Sequence, residues 1–133
     1  MCGVEILGEL LTQYEPLIEV LPADNMKGGV LPDGIALPAL VLKSVSLTDR
    51  QPLKWGPLVR STERVAVAVR AASYEQQKAL IRLIRSCCSG RTGNIGGGLN
   101  VSIRPAGTGP DMNGPANSFE QTQDFRVSYD ASA

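Results

Sequence analysis

The alternation of apolar and polar positions is clearest in "RVAVAVR", residues 64–70. It places Val65, Val67 and Val69 on one side of an extended chain and Arg64, Ala66, Ala68 and Arg70 on the other. This predicts a strand over 61–73. Directly after it the period changes. Leu80, Leu83, Ile84 and Cys87 recur at helical spacing, with Glu75, Lys78, Arg82 and Arg85 on the opposite, wet face, so a helix is predicted from Tyr74 to about Cys88. Ser73 stands where an N-cap belongs, with Gln76 at capping-box spacing, and Gly90 is placed to end the helix.

The remaining elements follow from the same patterns. Ile6, Leu7, Leu10 and Leu11 form a stripe opposite Glu5, Glu9 and Gln13, which predicts a short amphipathic helix over Val4–Tyr14, ended by Pro16. Residues 17–22 read as a short strand, and the Gly- and Pro-rich 23–38 as a long loop. Residues 39–49, apolar on both faces at the start, predict a central strand. The stretch 50–60 reads as a connecting loop, 91–98 as a turn, and 99–105 as a strand with Leu99, Val101 and Ile103 inward. Residues 106–118 read as a second long loop. The last strand is predicted over 119–130, with Phe119, Phe125, Val127 and Tyr129 on one face, and the small polar residues after it are expected to fray. The order helix, three strands, helix, two strands predicts a single α+β domain over 1–133. Its mainly antiparallel sheet of four to five strands would carry two helices on one face.

Composition narrows the function classes. The chain has 133 residues, 13 acidic and 13 basic, so no bulk charge drives it toward nucleic acid or membrane. It has no histidine, which removes the commonest general base and metal ligand. Its cysteines, Cys2, Cys87 and Cys88, are odd in number with two adjacent, which is not a disulfide framework. They are also too few for a metal site. Cys87 continues the apolar stripe as a small core residue, and Cys88 is expected to be half exposed. The N-terminal segment carries acids within its apolar run, unlike a signal peptide, and no apolar run reaches the roughly 20 residues of a membrane span. A soluble protein of a reducing compartment is expected, with no membrane partner.

Candidate chemistry is sparse. "GRTGNIGGG" has a phosphate loop's composition, but it follows a helix and precedes a strand, and it lacks the Lys-Ser/Thr pair. A nucleotide-binding module using this turn therefore stays as an alternative. In that reading alanine at Gly96 and Gly97 would abolish ligand binding, whereas in an assembly reading it would leave assembly intact. Asp24, Asp33, Asp49, Asp111 and Asp124 fall at turns or on polar strand faces, so no acid–base pair emerges and no catalytic, cofactor or metal residue is predicted. Lys78, Arg82 and Arg85 read either as a solvated helix face, with Glu75 answering Lys78, or as a surface for acidic residues of a partner. Trp55, in a Pro/Gly loop, folds over a core edge or anchors an interface. The face Arg64-Ala66-Ala68-Arg70 is unlike an ordinary wet face. Its small residues bracketed by arginines suit the close approach of another chain.

Two stretches carry a resemblance. "LPALVLKSVS" after a Pro/Gly loop, and "RVAVAVRAASYEQQKALIRLIR" as a strand–cap–helix unit, resemble the tail-terminator (tail-completion) proteins of long-tailed bacteriophages, over most of the chain. The resemblance implies a non-enzymatic virion protein at the tail–head junction. Its copies would form a ring, a hexamer in that family, that caps the tail tube, stops its polymerisation and meets the neck, with DNA passing through the lumen. The partners it implies are further copies of the chain, the tail-tube protein and a neck or head-completion protein. The interface residues expected from their surface chemistry are Trp55, Arg64, Arg70, Lys78, Arg82 and Arg85. The alternatives are another neck or connector ring protein and a plain dimeric binding module.

Overall fold

The computed structural model describes residues 3–32, 35–50, 58–96, 98–114 and 117–132. Helix α1 (Gly3–Thr12) is followed by the short α2 (Glu15–Ile18), a 3-10 turn over Ala23–Asn25, and strands β1 (Met26–Gly28), β2 (Ala39–Arg50) and β3 (Leu58–Ala71). Helix α3 (Tyr74–Cys88) leads to β4 (Thr92–Ile95), β5 (Gly98–Thr108), β6 (Met112–Asn113) and β7 (Phe119–Ser132). The strands form a seven-stranded sheet in the order β1-β2-β3-β7-β5-β4, with β6 pairing the start of β7. Every pair is antiparallel except β1–β2. The α+β class and the helices on one face are as expected, and the sheet is wider.

The centre of the molecule follows the alternation. In β3 and β7 the odd-numbered positions point to one side, where Val65, Val67, Val69, Phe125 and Val127 are buried with Leu40 and Leu42 of β2 and Val101 and Ile103 of β5. Onto this floor α1 packs Ile6, Leu7 and Leu11, and α3 packs Leu80, Ile81, Ile84, Cys87 and Cys88. Burial of this apolar set is the main term holding the layers together. Helix α3 starts as its sequence dictates: the Gln76 amide donates to Ser73 Oγ at 3.1 Å, and the Ala72 amide donates to Gln76 Oε1 at 3.1 Å. The second bond falls one residue earlier than in a reciprocal capping box. Gly90, at φ 75°, ends the helix in the left-handed region that glycine enters without steric cost.

Several expected elements differ. Residues 17–22 are not a strand: Pro16 sits in the first turn of α2, where its missing amide costs no helical bond, and Leu17 and Leu21 turn into the core. The loop 23–38 contains β1. Strand β2 is central only where β1 covers it, at Leu40–Leu42; from Lys43 its outer edge has no strand neighbour among the described residues. Strands β2 and β3 extend into the expected 50–60 loop, and its 51–57 part, Trp55 included, lies outside the described residues. The 91–98 turn is the β4–β5 hairpin. Leu99 is not inward: a register shift between Leu99 and Ser102, with Asn100 at φ 51°, leaves it 41% exposed. Strand β5 runs on to Thr108 and β6 occupies part of the expected 106–118 loop. At the C-terminus β7 stays paired with β3 as far as Ser132.

Candidate functional site

The sheet face without helices is built from the even-numbered positions of β3 and β7 and their neighbours on β2 and β5. Three ion pairs cross the β3–β7 seam. Arg60 Nη1 meets Asp130 Oδ1 at 3.2 Å, Arg64 Nη2 meets Asp124 Oδ2 at 2.7 Å, and Arg70 Nε meets Glu120 Oε1 at 2.6 Å. Arg60–Asp130 and Arg70–Glu120 are direct cross-strand partners, whereas Arg64 stands opposite Arg126 and reaches diagonally to Asp124. Between them lie Ala66 and Ala68, and the Thr62 and Ser128 hydroxyls pair at 3.0 Å. Both expected interface residues of this face, Arg64 and Arg70, are therefore held in place within the chain.

The β5–β7 seam of the same face is different. Arg104 stands directly opposite Arg126, both are exposed, and neither side chain has an ion pair or hydrogen bond among the described residues. Like charges in direct cross-strand register are unfavourable. The pair edges a depression of about 300 Å³ lined also by Arg60, Thr62, Ser102 and Ser128. These arginines were missed in the sequence. Each sits at an outward position of an alternating strand, but their meeting depends on the β5–β7 register.

The α3 residues fall in two groups. Lys78 Nζ meets Asp111 Oδ1 at 2.6 Å, so its acid partner is Asp111 and not the expected Glu75. That hydrogen bond holds the Asp111 carboxyl below its ordinary value and raises the Lys78 ammonium. Arg85 donates to Thr108 Oγ1 at 2.9 Å and to Gln123 Oε1 at 3.0 Å. Gln77, fully buried, donates to Asp111 Oδ1 at 2.9 Å and to Gln121 Oε1 at 3.0 Å. This network ties the β5–β6 segment to the helix. Arg82 is exposed and makes no such bond among the described residues.

The other candidates resolve structurally. Cys88 is fully buried, not half exposed, and a hydrogen bond with Cys87 together with burial pushes its thiol up, away from thiolate chemistry. Gly96, at φ 57°, lies against α1: a Cβ there would stand 2.9 Å from Ile6 Cα and 3.3 Å from Glu5 O. Close packing on a helix thus accounts for a glycine in this turn, and alanine at Gly96 no longer separates the nucleotide reading from the assembly reading. Glu63, 2% exposed, accepts from Tyr129 Oη at 3.2 Å beneath the start of α1. The alternation extended back from Val65 could have revealed it as inward. Among the described residues no group of three or more His, Cys, Asp or Glu side chains could hold a metal, and no helix is long and apolar enough to cross a membrane.

No known protein family's sequence pattern matches the chain, and no curated protein matches it. By structure it is similar to a chain in the virion of a native gene transfer agent particle. The TM-score is 0.79 at 12% sequence identity, over 97% of this chain and 95% of that one. The two share a fold end to end.

Proposed function

We propose that this chain is a virion structural protein of a long-tailed phage or phage-derived particle, a tail terminator whose copies close into a ring on the end of the tail tube. The observation that carries the reading is the full-length fold shared with a chain of a gene transfer agent virion, with neither protein running far beyond the other. The resemblance of the strand–cap–helix unit to tail terminators supplies the finer role. The helix-free face agrees with it, because a surface of alanines and held arginines suits another protein chain. In the ring, Arg64 and Arg70 present a pre-ordered surface. Lys78, Arg82 and Arg85 meet acidic residues of a neighbouring subunit, and the Trp55 segment docks on a neighbour or on the tube. Repeating one modest contact around a closed ring multiplies its strength. The protein works by binding and catalyses no reaction. DNA passes through the lumen, and the remaining partners are the tail-tube protein and a neck protein.

The test is native mass spectrometry of the purified protein followed by mixing with tail-tube ends. A closed ring that binds tube ends is expected. A ring that binds only portal-bearing capsids would reassign it to the neck, and a monomer at every concentration, tube ends included, would remove the reading.

A further inference from the structure

Net charge conceals a separation. Residues 3–26 hold Glu5, Glu9, Glu15, Glu19 and Asp24 and no basic residue, the first being Lys27. Glu5 and Glu9 sit one turn apart on α1, as Glu15 and Glu19 do across α2 and its C-cap, and all four are exposed with no ion pair among the described residues. The helix-free face is the converse. Among the described residues, Lys43, Arg60, Arg64, Arg70, Arg104 and Arg126 share it with only Glu120, Asp124 and Asp130, and those three acids are already engaged. The protein is electrically neutral but uneven: its N-terminal helices are acidic, the opposite side of the sheet is basic, and α3 beside the N-terminal helices carries Lys78, Arg82 and Arg85.

Resting on the ring reading, we propose that the Arg104–Arg126 depression receives the Glu5–Glu9 edge of α1 from a second copy. The spans match. Residues four apart on a helix have Cβ atoms about 5–6 Å apart, and directly opposed residues of an antiparallel pair about 4.5–5.5 Å. Each pair is a like-charge juxtaposition with no opposite charge against it among the described residues, Glu9 being met only by the neutral Gln13 amide, which donates to its Oε1 at 2.8 Å, and each supplies the charge the other lacks. Around the depression the Ser102 hydroxyl, and whichever of the paired Thr62 and Ser128 hydroxyls keeps its hydrogen free, add donors for carboxylate oxygens. The charges also bear on the symmetry. Two basic sheet faces repel, so a two-fold dimer through that face is disfavoured. Acidic edge on basic face is a head-to-tail contact, which closes into a ring where the rotation between copies fits.

Charge exchange tests this. The variants are Arg104→Glu with Arg126→Glu, and Glu5→Arg with Glu9→Arg, all at exposed positions, with circular dichroism and thermal melting to verify folding. Each double variant alone should associate at least about tenfold more weakly than wild type. Mixed one to one they should assemble, since each carries the surface the other needs, and the quadruple variant should assemble alone. Wild-type assembly should weaken with added salt. If either double variant forms rings as wild type does, this inference falls and the ring reading stands. The same holds if the mixture fails while both partners are folded, or if reversing the arginines abolishes only binding to double-stranded DNA. If wild type itself never associates, the ring reading falls first. Should a reversal impair folding, Arg104→Gln with Arg126→Gln carries the same test with a smaller expected loss.

Discussion

Phe125 and Arg126 are adjacent in β7 and belong to opposite surfaces of one sheet. Phe125 is fully buried beneath the helices, in a layer of branched and aromatic side chains whose contribution depends on shape and volume. Arg126 lies on the helix-free face, where the large residues are charged and the apolar ones are mostly alanine. The fold rests on the first face. The difference continues within the open face. Arg126 faces an arginine on both sides, Arg64 on β3 and Arg104 on β5, but the β3–β7 seam carries three ion pairs, one of them engaging Arg64, whereas Arg104 and Arg126 have none among the described residues.

The largest break in this comparison is made at Phe125. Phe125→Ala should cost about 3–5 kcal/mol, the range for truncating a buried aromatic, while Arg126→Ala should stay within about 0.5 kcal/mol. Urea unfolding at concentrations below association reads both, and similar losses at the two sites would erase the distinction between the faces. Next comes Gly96→Ala at the edge of the covered face. The left-handed backbone and the approach to Ile6 Cα predict a loss of about 1–3 kcal/mol, read as a lower Tm. A third and smaller effect belongs to the balanced seam. Arg64→Ala removes a partly exposed ion pair and should cost no more than about 1 kcal/mol, less in high salt.

The elements legible in the sequence were those whose own residues carry the period. Helix α3 was legible from cap to end, because Ser73, the Leu80–Ile84–Cys87 stripe and Gly90 each act locally. So were the inward valines of β3. What escaped depends on partners. Strands β1 and β6, three and two residues long, exist through the strands they pair with and have too few residues for any pattern. Strand β4 lies at a sheet edge with its first three residues exposed, and so shows no alternation. Leu99 was misplaced because an irregularity next to it resets the alternation. Pro16 was read as a stop, although proline is equally at home in a first helical turn. The candidate site divides the same way. The face of Arg64 and Arg70 could be read from one strand, but Arg104 beside Arg126 requires the register of two, and the Lys78–Asp111 pair joins residues 33 apart.

The smallest effect is a titration that separates the two sides once more. Asp111 lies against α3 and Asp130 on the open face, and both carboxyls are held below their ordinary value. For Asp111 the first cause is the hydrogen bond from Lys78; for Asp130 it is the hydrogen bond from Asn100, with Arg60 adding to it. A carboxyl whose pKa is lower folded than unfolded contributes stability that is complete above the unfolded value, about 3.9, and is lost as pH falls through the folded value. Lys78 is raised, so its contribution is complete below about 10.4 and is lost as pH rises through its folded value. Asp111→Asn should therefore flatten both the acid and the alkaline limbs of stability against pH. Asp130→Asn should flatten the acid limb alone, because its cationic partner is an arginine that does not titrate in this range. Asp111 is exposed and Lys78 and Asp130 are partly so, so water screens these contacts; the changes are small and are best read as differences in urea midpoint across a pH series. An alkaline limb that Asp111→Asn leaves unaltered would mean that the Lys78–Asp111 contact does not persist in solution.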